Sequence, residues 1–216
     1  MNKRSKNIVD SFFSLWYNSK VWRNNIKWLG VSLQKLPLDL WVYQEILFEK
    51  KPDIIIETGS LYGGSALFLS SLCELIKPSC QIISIDINKV DRSWCENTGL
   101  SDRIVFLTGN SVSKEILSMV SGLVKDKTVM VILDSDHSKE HVLRELSEYS
   151  RFVSVGQYLI VEDSCINGHP VLSDFGEGPF EAVRLWLQKN KGFMIDKSRE
   201  KLLATQNPDG FLLKVK

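Results

Sequence analysis

Short apolar runs that alternate with amphipathic segments limit this chain's fold more than any other feature. The runs are DIIIE (53–57), QIISID (81–86), RIVFLTG (103–109), TVMVILDSD (128–136) and QYLIVED (157–163). Each is nearly continuous in apolar residues, as a strand covered on both faces requires. The intervening segments have the helical period. LDLWVYQEILFEK (38–50) puts Leu40, Tyr43, Ile46 and Leu47 on one face. GGSALFLSSLCELI (63–76) stacks Leu67, Ser71 and Leu75 above Gly63 or Gly64. VSKEILSMVSGLV (112–124), SKEHVLRELSEYSRFV (138–153) and GPFEAVRLWLQKN (178–190) follow, with Pro179 suited to a first helical turn. Strands alternating with helices predict an α/β domain around a mostly parallel sheet. GFMID (192–196) and GFLLKV (210–215) have no helix between them and are expected to pair antiparallel at the sheet edge.

In such open sheets ligands bind outside the carboxyl ends of the strands. Glu57, Asp86, Gly109, Asp134 and Glu162 each close a strand or lie just beyond one, so they are expected to converge. Four of these five are acids, which do nothing for an apolar strand. The first strand leads into ETGSLYGGSALFL (57–69), where Gly59, Gly63 and Gly64 permit positive φ and close backbone approach. The spacing G-x-x-x-G-G matches neither G-x-G-x-x-G nor the phosphate loop G-x-x-x-x-G-K-[ST]. Glu57 at that strand end repels a phosphate and welcomes an ammonium. Asp86 can accept both hydroxyls of a ribose, and the helix N-terminus offers free N–H groups to a carboxylate. S-adenosylmethionine carries all three groups.

Asp134, Asp136, Glu162 and Asp163 form a second constellation at two neighbouring strand ends. Four carboxylates packed together raise one another's pKa unless a cation neutralises them. An all-oxygen donor set favours Mg²⁺, Ca²⁺ or Mn²⁺. The plainer alternative makes Asp136 or Ser138 the N-cap of the helix over 138–153. His137 beside the cluster is the candidate general base. His141 is expected on the helix surface, and His169, in NGHP, as a loop histidine. SDFGEGPF (173–180) is either a lid or an ordinary connector.

The length of 216 residues, 44% of them hydrophobic and 25% charged, suits one globular domain with a short appendage. The formal net charge of +1 provides no field for nucleic acid or an anionic membrane. Cys73, Cys80, Cys95 and Cys165 have no C-x-x-C spacing and are expected as reduced thiols of a cytoplasmic protein. The apolar runs fall far short of the roughly 18 residues of a membrane helix, and MNKRSKNIVDSFFSLW lacks a signal-peptide cleavage site. Residues 1–36 are read as a basic, aromatic helical arm on a domain spanning 37–216. The arm carries Lys3, Arg4, Lys6, Lys20, Arg23, Lys27 and Lys35 against Asp10 alone. Its aromatics cover the core or a second subunit while its cations stay wet, or else the arm lies on a membrane. Trp22 and Trp28, read as exposed, mark a possible surface for homo-oligomers.

The chain resembles the cephalosporin hydroxylase family of class I S-adenosylmethionine-dependent methyltransferase-like proteins. The matching stretches are WLGVSLQKLPLDLWVYQEIL (28–47), KPDIIIETGSLYGGSALFL (51–69), ISID (83–86), LDSDHSKEHV (133–142), YLIVEDSCINGHP (158–170), GEGPFEAVRLWL (176–187) and TQNPDGFLLKV (205–215). The resemblance implies a three-layer Rossmann-like methyltransferase fold, with a mostly parallel seven-stranded sheet and one antiparallel edge strand. It implies cofactor contacts at Glu57, Gly59, Ser60, Gly63, Ser65 and Asp86, with Thr58, Ile87, Asn110, Ser111 and Asp134 in the same shell. It implies Glu162 and Asp163 as metal acids, together with Asp134 or Asp136. Metal-dependent sugar O-methyltransferases look similar in their acid–x–x–His spacing, which would make Asp134 a ligand and His137 the base.

The expected function is therefore metal-dependent O-methylation of a hydroxyl on a sugar or small secondary metabolite. The alternatives are a cofactor-binding partner protein in a two-component modification system, without methyl transfer of its own, and a nucleotide- or sugar-nucleotide-binding enzyme using the same acids for Mg²⁺.

Overall fold

The computed structural model describes residues 2–91, 93 and 99–216. Its N-terminal part holds α1 (Lys3–Asn18), α2 (Val21–Asn24) and a hairpin of β1 (Lys27–Trp28) and β2 (Val31–Ser32). The body follows as α3 (Pro37–Lys50), β3 (Ile54–Thr58), α4 (Gly64–Ile76), β4 (Gln81–Asp86), β5 (Ile104–Thr108), α5 (Lys114–Leu123), β6 (Val129–Leu133), α6 (Lys139–Tyr149), β7 (Tyr158–Val161), α7 (Pro179–Lys189), β8 (Phe193–Ile195) and β9 (Phe211–Lys214).

The seven body strands form one sheet in the order β5-β4-β3-β6-β7-β9-β8. β3 through β7 pair in parallel, and β9 runs antiparallel to both β7 and β8. The final pair sits at the edge as expected, with the reversed strand one place in from the outermost. Alternate strand residues feed two cores. Ile54, Ile56, Val129, Val131 and Leu133 pack towards α5, α6 and α7. Ile55, Ile82, Met130, Ile132 and Ile160 pack towards α3 and α4. Chain order reverses between β3 and β6, which opens a crevice at their carboxyl ends. Thr58 lies opposite both Ile85 and Leu133, and Leu133 lies opposite Val161, so the strands end nearly level.

Several elements end earlier than the sequence pattern suggests, among them β7, which stops at Val161 and leaves Glu162 and Asp163 beyond it. β6 stops at Leu133, which releases residues 134–136 into a loop, and α6 stops at Tyr149. In α4 the expected Leu75 contact is absent: Leu75 is 82% exposed, because the helix is enclosed only over its first turns. Those turns need glycine, since a Cβ on Gly64 would stand 2.1 Å from the Ser32 carbonyl oxygen of the hairpin.

The arm folds onto the body. Phe13 is buried with Leu36, Cys165, Ile166 and Val171, while Ile8, Phe12 and Leu15 face outward. Trp22 and Trp28 are half-buried rather than exposed. Each indole N–H has an acceptor, the Tyr17 carbonyl at 2.9 Å and the Ser71 hydroxyl at 3.0 Å, which draws the rings inward. Of the arm's cations, Lys35 departs from the expected wet position and is 3% exposed. Cys73, Cys80 and Cys165 are free and buried, and Cys95 lies outside the described residues. Among the described residues, no helix is long and apolar enough to cross a membrane.

Candidate active site

One end of the crevice is the turn from β3 into α4. Glu57 is the next-to-last residue of β3 and fully buried, and its Oε2 accepts a 2.7 Å hydrogen bond from the Ser84 hydroxyl. Its Oε1 is buried without a hydrogen-bond partner. Burial raises its pKa, against the lowering effect of Lys35 and of hydrogen bonds from Ser65 and Ser84. Ser60 shares a 2.6 Å hydrogen bond with Ser84. Gly63 caps α4 in the left-handed region at φ 80°. Gly59 also has a positive φ, and a Cβ there would meet the Asp134 carbonyl oxygen at 1.8 Å. The bare backbone thus first serves the close approach of the β3 and β6 ends. Asp86 reaches over this turn, with Oδ2 accepting from Leu61 N–H and Oδ1 from Asn88 N–H, each at 2.8 Å. Leu61, Tyr62 and Ile87 are exposed along the rim.

Beyond β5, Asn110 accepts from Val112 N–H at 3.0 Å. Ser111 is buried, and its hydroxyl lies 3.2 Å from His141 Nε2. His141 therefore departs from the expected helix surface: Glu145, buried and 3.5 Å from the same nitrogen, turns the ring inward. His169 meets Glu181 at 2.8 Å and stacks on Phe180 in its loop.

The other end of the crevice gathers the acids. Asp134 N–H donates to the Thr58 carbonyl at 3.0 Å, and Glu162 N–H donates to the Leu133 carbonyl at 2.9 Å, which fixes both acids beyond their strands. Thr58 itself is fully buried under this junction. Asp134, His137 and Asp163 each present a ligand atom within 4.8 Å of the others. His137 Nε2 stands 3.1 Å from Asp163 Oδ2 and 4.0 Å from Asp134 Oδ1. Burial raises the pKa of Asp134, Glu162 and Asp163. Burial alone would lower that of His137, but Asp163, Asp134 and Glu162 outweigh it and hold the imidazole above its ordinary value. Asp136 stands apart from this group: it is exposed and accepts from Ser138 N–H at 2.7 Å at the start of α6.

Several residues of this end escape sequence reasoning. Lys35 Nζ donates to Asp134 Oδ2 at 2.7 Å and to Glu162 Oε1 at 2.6 Å. Although burial opposes its charge, Asp134, Glu162 and Glu57 raise its pKa and keep it an ammonium. Tyr43 donates to Glu162 Oε1 at 2.7 Å. Asp163, at φ 52°, is held on two sides, since its N–H donates to Asn207 Oδ1 and its Oδ1 accepts from Gln206 Nε2 at 3.1 Å. Asn207 also donates to the Tyr43 hydroxyl at 3.2 Å. Behind them Asp39 accepts from Gln206 N–H at 2.8 Å and Thr205 Oγ1 at 2.6 Å, and burial pushes its pKa up to about 7. TQN and QKLPLDLW belong to matching stretches, but no local pattern marks their side chains as site groups.

The loop over 173–178, shorter than the expected 173–180 because α7 starts at Pro179, borders this end. Lys139 N–H donates to the Glu177 carbonyl at 3.2 Å, and a Cβ on Gly178 would stand 3.3 Å from the His137 carbonyl oxygen.

The chain is similar to several known proteins. The family described as Rhamnosyl O-methyltransferase/CmcI matches over residues 20–215. A rhamnosyl O-methyltransferase of Mycobacterium leprae is 36% identical over 211 residues, covering 96% of this chain and 90% of its own. The protein of the same name from Mycobacterium bovis is 32% identical, covering 96% and 85%. Among solved structures, CmcI with Mg and SAM superposes with a TM-score of 0.65 at 21% identity, covering 88% of this chain and 77% of its own. An O-methyltransferase from Bacillus cereus in complex with SAH gives 0.56 at 14% identity, covering 87% and 79%. These two likenesses show the fold.

Proposed function

The chain belongs to the Rhamnosyl O-methyltransferase/CmcI family, and from that premise we propose that it methylates a hydroxyl of a sugar or small secondary metabolite, using S-adenosylmethionine and a divalent cation. The relatives are named for rhamnosyl acceptors, so a rhamnoside is the first acceptor to test. The observation that carries the reading is the convergence of Asp134, His137 and Asp163 at the reversal of chain order.

The cofactor reading rests on Glu57. A buried carboxylate oxygen without a partner suits an ammonium, and S-adenosylmethionine ends in one. Ser60, Ser65 and the first turn of α4, entered through Gly59 and Gly63, would hold its carboxylate. Asp86 would accept the ribose hydroxyls, with Ile87, Asn110 and Ser111 flanking the base. Thr58 keeps the junction with Asp134 in place.

The metal reading rests on the donor set. Of three buried or half-buried carboxylates, Lys35 pairs with Asp134 and Glu162 while Asp163 faces His137, which with a neutral imidazole leaves negative charge that a hard divalent cation suits. Asp134 and Asp163 would hold it, with Glu162 behind them, while Asp136 is turned outward onto the Ser138 N–H. A cation there supplies a lowered pKa for the acceptor hydroxyl. His137 Nε2 takes the acceptor's proton, and Asp163 steadies the imidazolium that results. Gln206 and Asn207 fix Asp163, so the base and its partner stay aligned. Much of the rate then comes from holding acceptor oxygen and methyl group in line.

The test is methyl transfer from S-adenosylmethionine to a panel of rhamnosides, with and without a chelator. Transfer that the chelator stops and Mg²⁺ restores is the expected result. Transfer that proceeds unchanged in the chelator contradicts the metal reading, and cofactor binding without transfer to any sugar contradicts the acceptor class.

A further inference from the structure

Lys35 is the least ordinary group in the crevice. Lysine is almost never fully buried unless it is paired, and this one is paired twice, with two of the three acids that a metal would attract. Glu162 Oε1 is engaged further by the Tyr43 hydroxyl. By contrast Asp134 Oδ1 faces His137, as does Asp163 Oδ2. The acids are therefore divided. One oxygen of Asp134 and one of Glu162 are satisfied by the protein's own cation, while the other oxygen of Asp134, Asp163 and the imidazole form the remaining cluster. Lys35 leaves the hairpin for α3 just ahead of Leu36, whose N–H bonds Gln206 Oε1, so the network that holds Asp163 also anchors the lysine's backbone.

Resting on the metal reading above, we propose that Lys35 is an internal cation set against the divalent ion. By pairing with one oxygen of Glu162 and one of Asp134, its ammonium offsets the charge of these acids and weakens the protein's grip on the ion. An ammonium within a few ångströms of a cation site also repels the ion directly, and at such distances the repulsion changes affinity by at least about tenfold. Lys35 is thus a positioning residue that sets metal affinity.

The experiment is Mn²⁺ titration, followed by the loss of the free-ion paramagnetic resonance signal, on wild type, Lys35→Met and Lys35→Arg without acceptor. Circular dichroism and S-adenosylmethionine binding report folding. Where Lys35→Met does not fold, Lys35→Gln, neutral but able to hydrogen-bond both acids, carries the same comparison. The expected result is Mn²⁺ binding at least about tenfold tighter in the neutral variant and close to wild type in Lys35→Arg. Binding seen only in the neutral variant supports the inference too. Unchanged or weaker binding in a folded neutral variant overturns it, with the metal reading intact. Absence of binding in every variant overturns the metal reading and the inference together.

Discussion

At the glycine end of the crevice the functional groups come from two short stretches, 57–65 and 84–88, each the end of one strand and the turn after it. The acid end is assembled differently. Lys35 meets Asp134 across 99 residues and Glu162 across 127, and Gln206 meets Asp163 across 43. The first end is made of backbone and a few side chains that local rules position. At the second, polar side chains satisfy one another across the whole fold. The difference teaches that loss of a group at the glycine end should show as lost cofactor affinity alone, whereas loss at the acid end should spread to metal, base and stability.

Asp163→Ala should have the largest effect. It removes a proposed metal ligand and the partner of His137 together, so turnover should fall by a hundredfold or more, on the order of losing a main electrostatic group. S-adenosylmethionine affinity should stay within about twofold, as calorimetry would show. A parallel loss of cofactor binding would erase the contrast between the two ends. His137→Gln comes next, with kcat lowered by roughly 10²–10⁴ and Mn²⁺ binding retained. If Mn²⁺ binding also disappears, His137 is a ligand and not the base.

Glu57→Gln tests the other end. Loss of a charge-assisted contact to an ammonium is worth about 1.5–3 kcal/mol, or roughly tenfold to a hundredfold in cofactor affinity. Mn²⁺ affinity should hardly move, and a matched change in both would mean that the ends are coupled. Gln206→Leu should cost about 1–3 kcal/mol in chemical denaturation, by leaving Asp163 and Leu36 N–H short of partners.

The smallest effect is on pH dependence. The folded His137 pKa lies above the ordinary 6.5 because its acids outweigh burial. Its contribution to stability is therefore complete below about 6.5 and is lost as pH rises through the folded value. Metal-free protein should lose stability over that range, and Asp163→Asn should flatten the slope. A wild-type slope of the opposite sign would mean that the neutral imidazole is the form the fold prefers.

The same contrast separates what the sequence reveals from what it hides. Strands such as DIIIE and TVMVIL are legible because burial on both faces forces continuous apolar runs, and an acid at such an end stands out against them. Asp86, Asp134 and Glu162 close or follow strands in the structure, and Glu57 lies one residue inside the end of β3. The choice between Asp134 and Asp136 is not legible, because both lie in one loop and only the folded chain shows Asp136 turned outward onto the Ser138 N–H. Lys35 reads as one more cation of a basic arm, since nothing in QKLPLD signals that its neighbours bury it. Tyr43 likewise passes for one residue of an apolar helix face. Its hydroxyl joins the site because the fold brings Glu162 and Asn207 to it.

The most direct test of separately built ends is calorimetric titration of S-adenosylmethionine into metal-stripped protein, repeated with Mg²⁺, on wild type, Glu57→Gln and Asp163→Ala. The account predicts saturable binding to wild type in both conditions, weakened by Glu57→Gln and preserved in Asp163→Ala. Binding that fails without Mg²⁺, or that Asp163→Ala abolishes while Glu57→Gln leaves it intact, would contradict it.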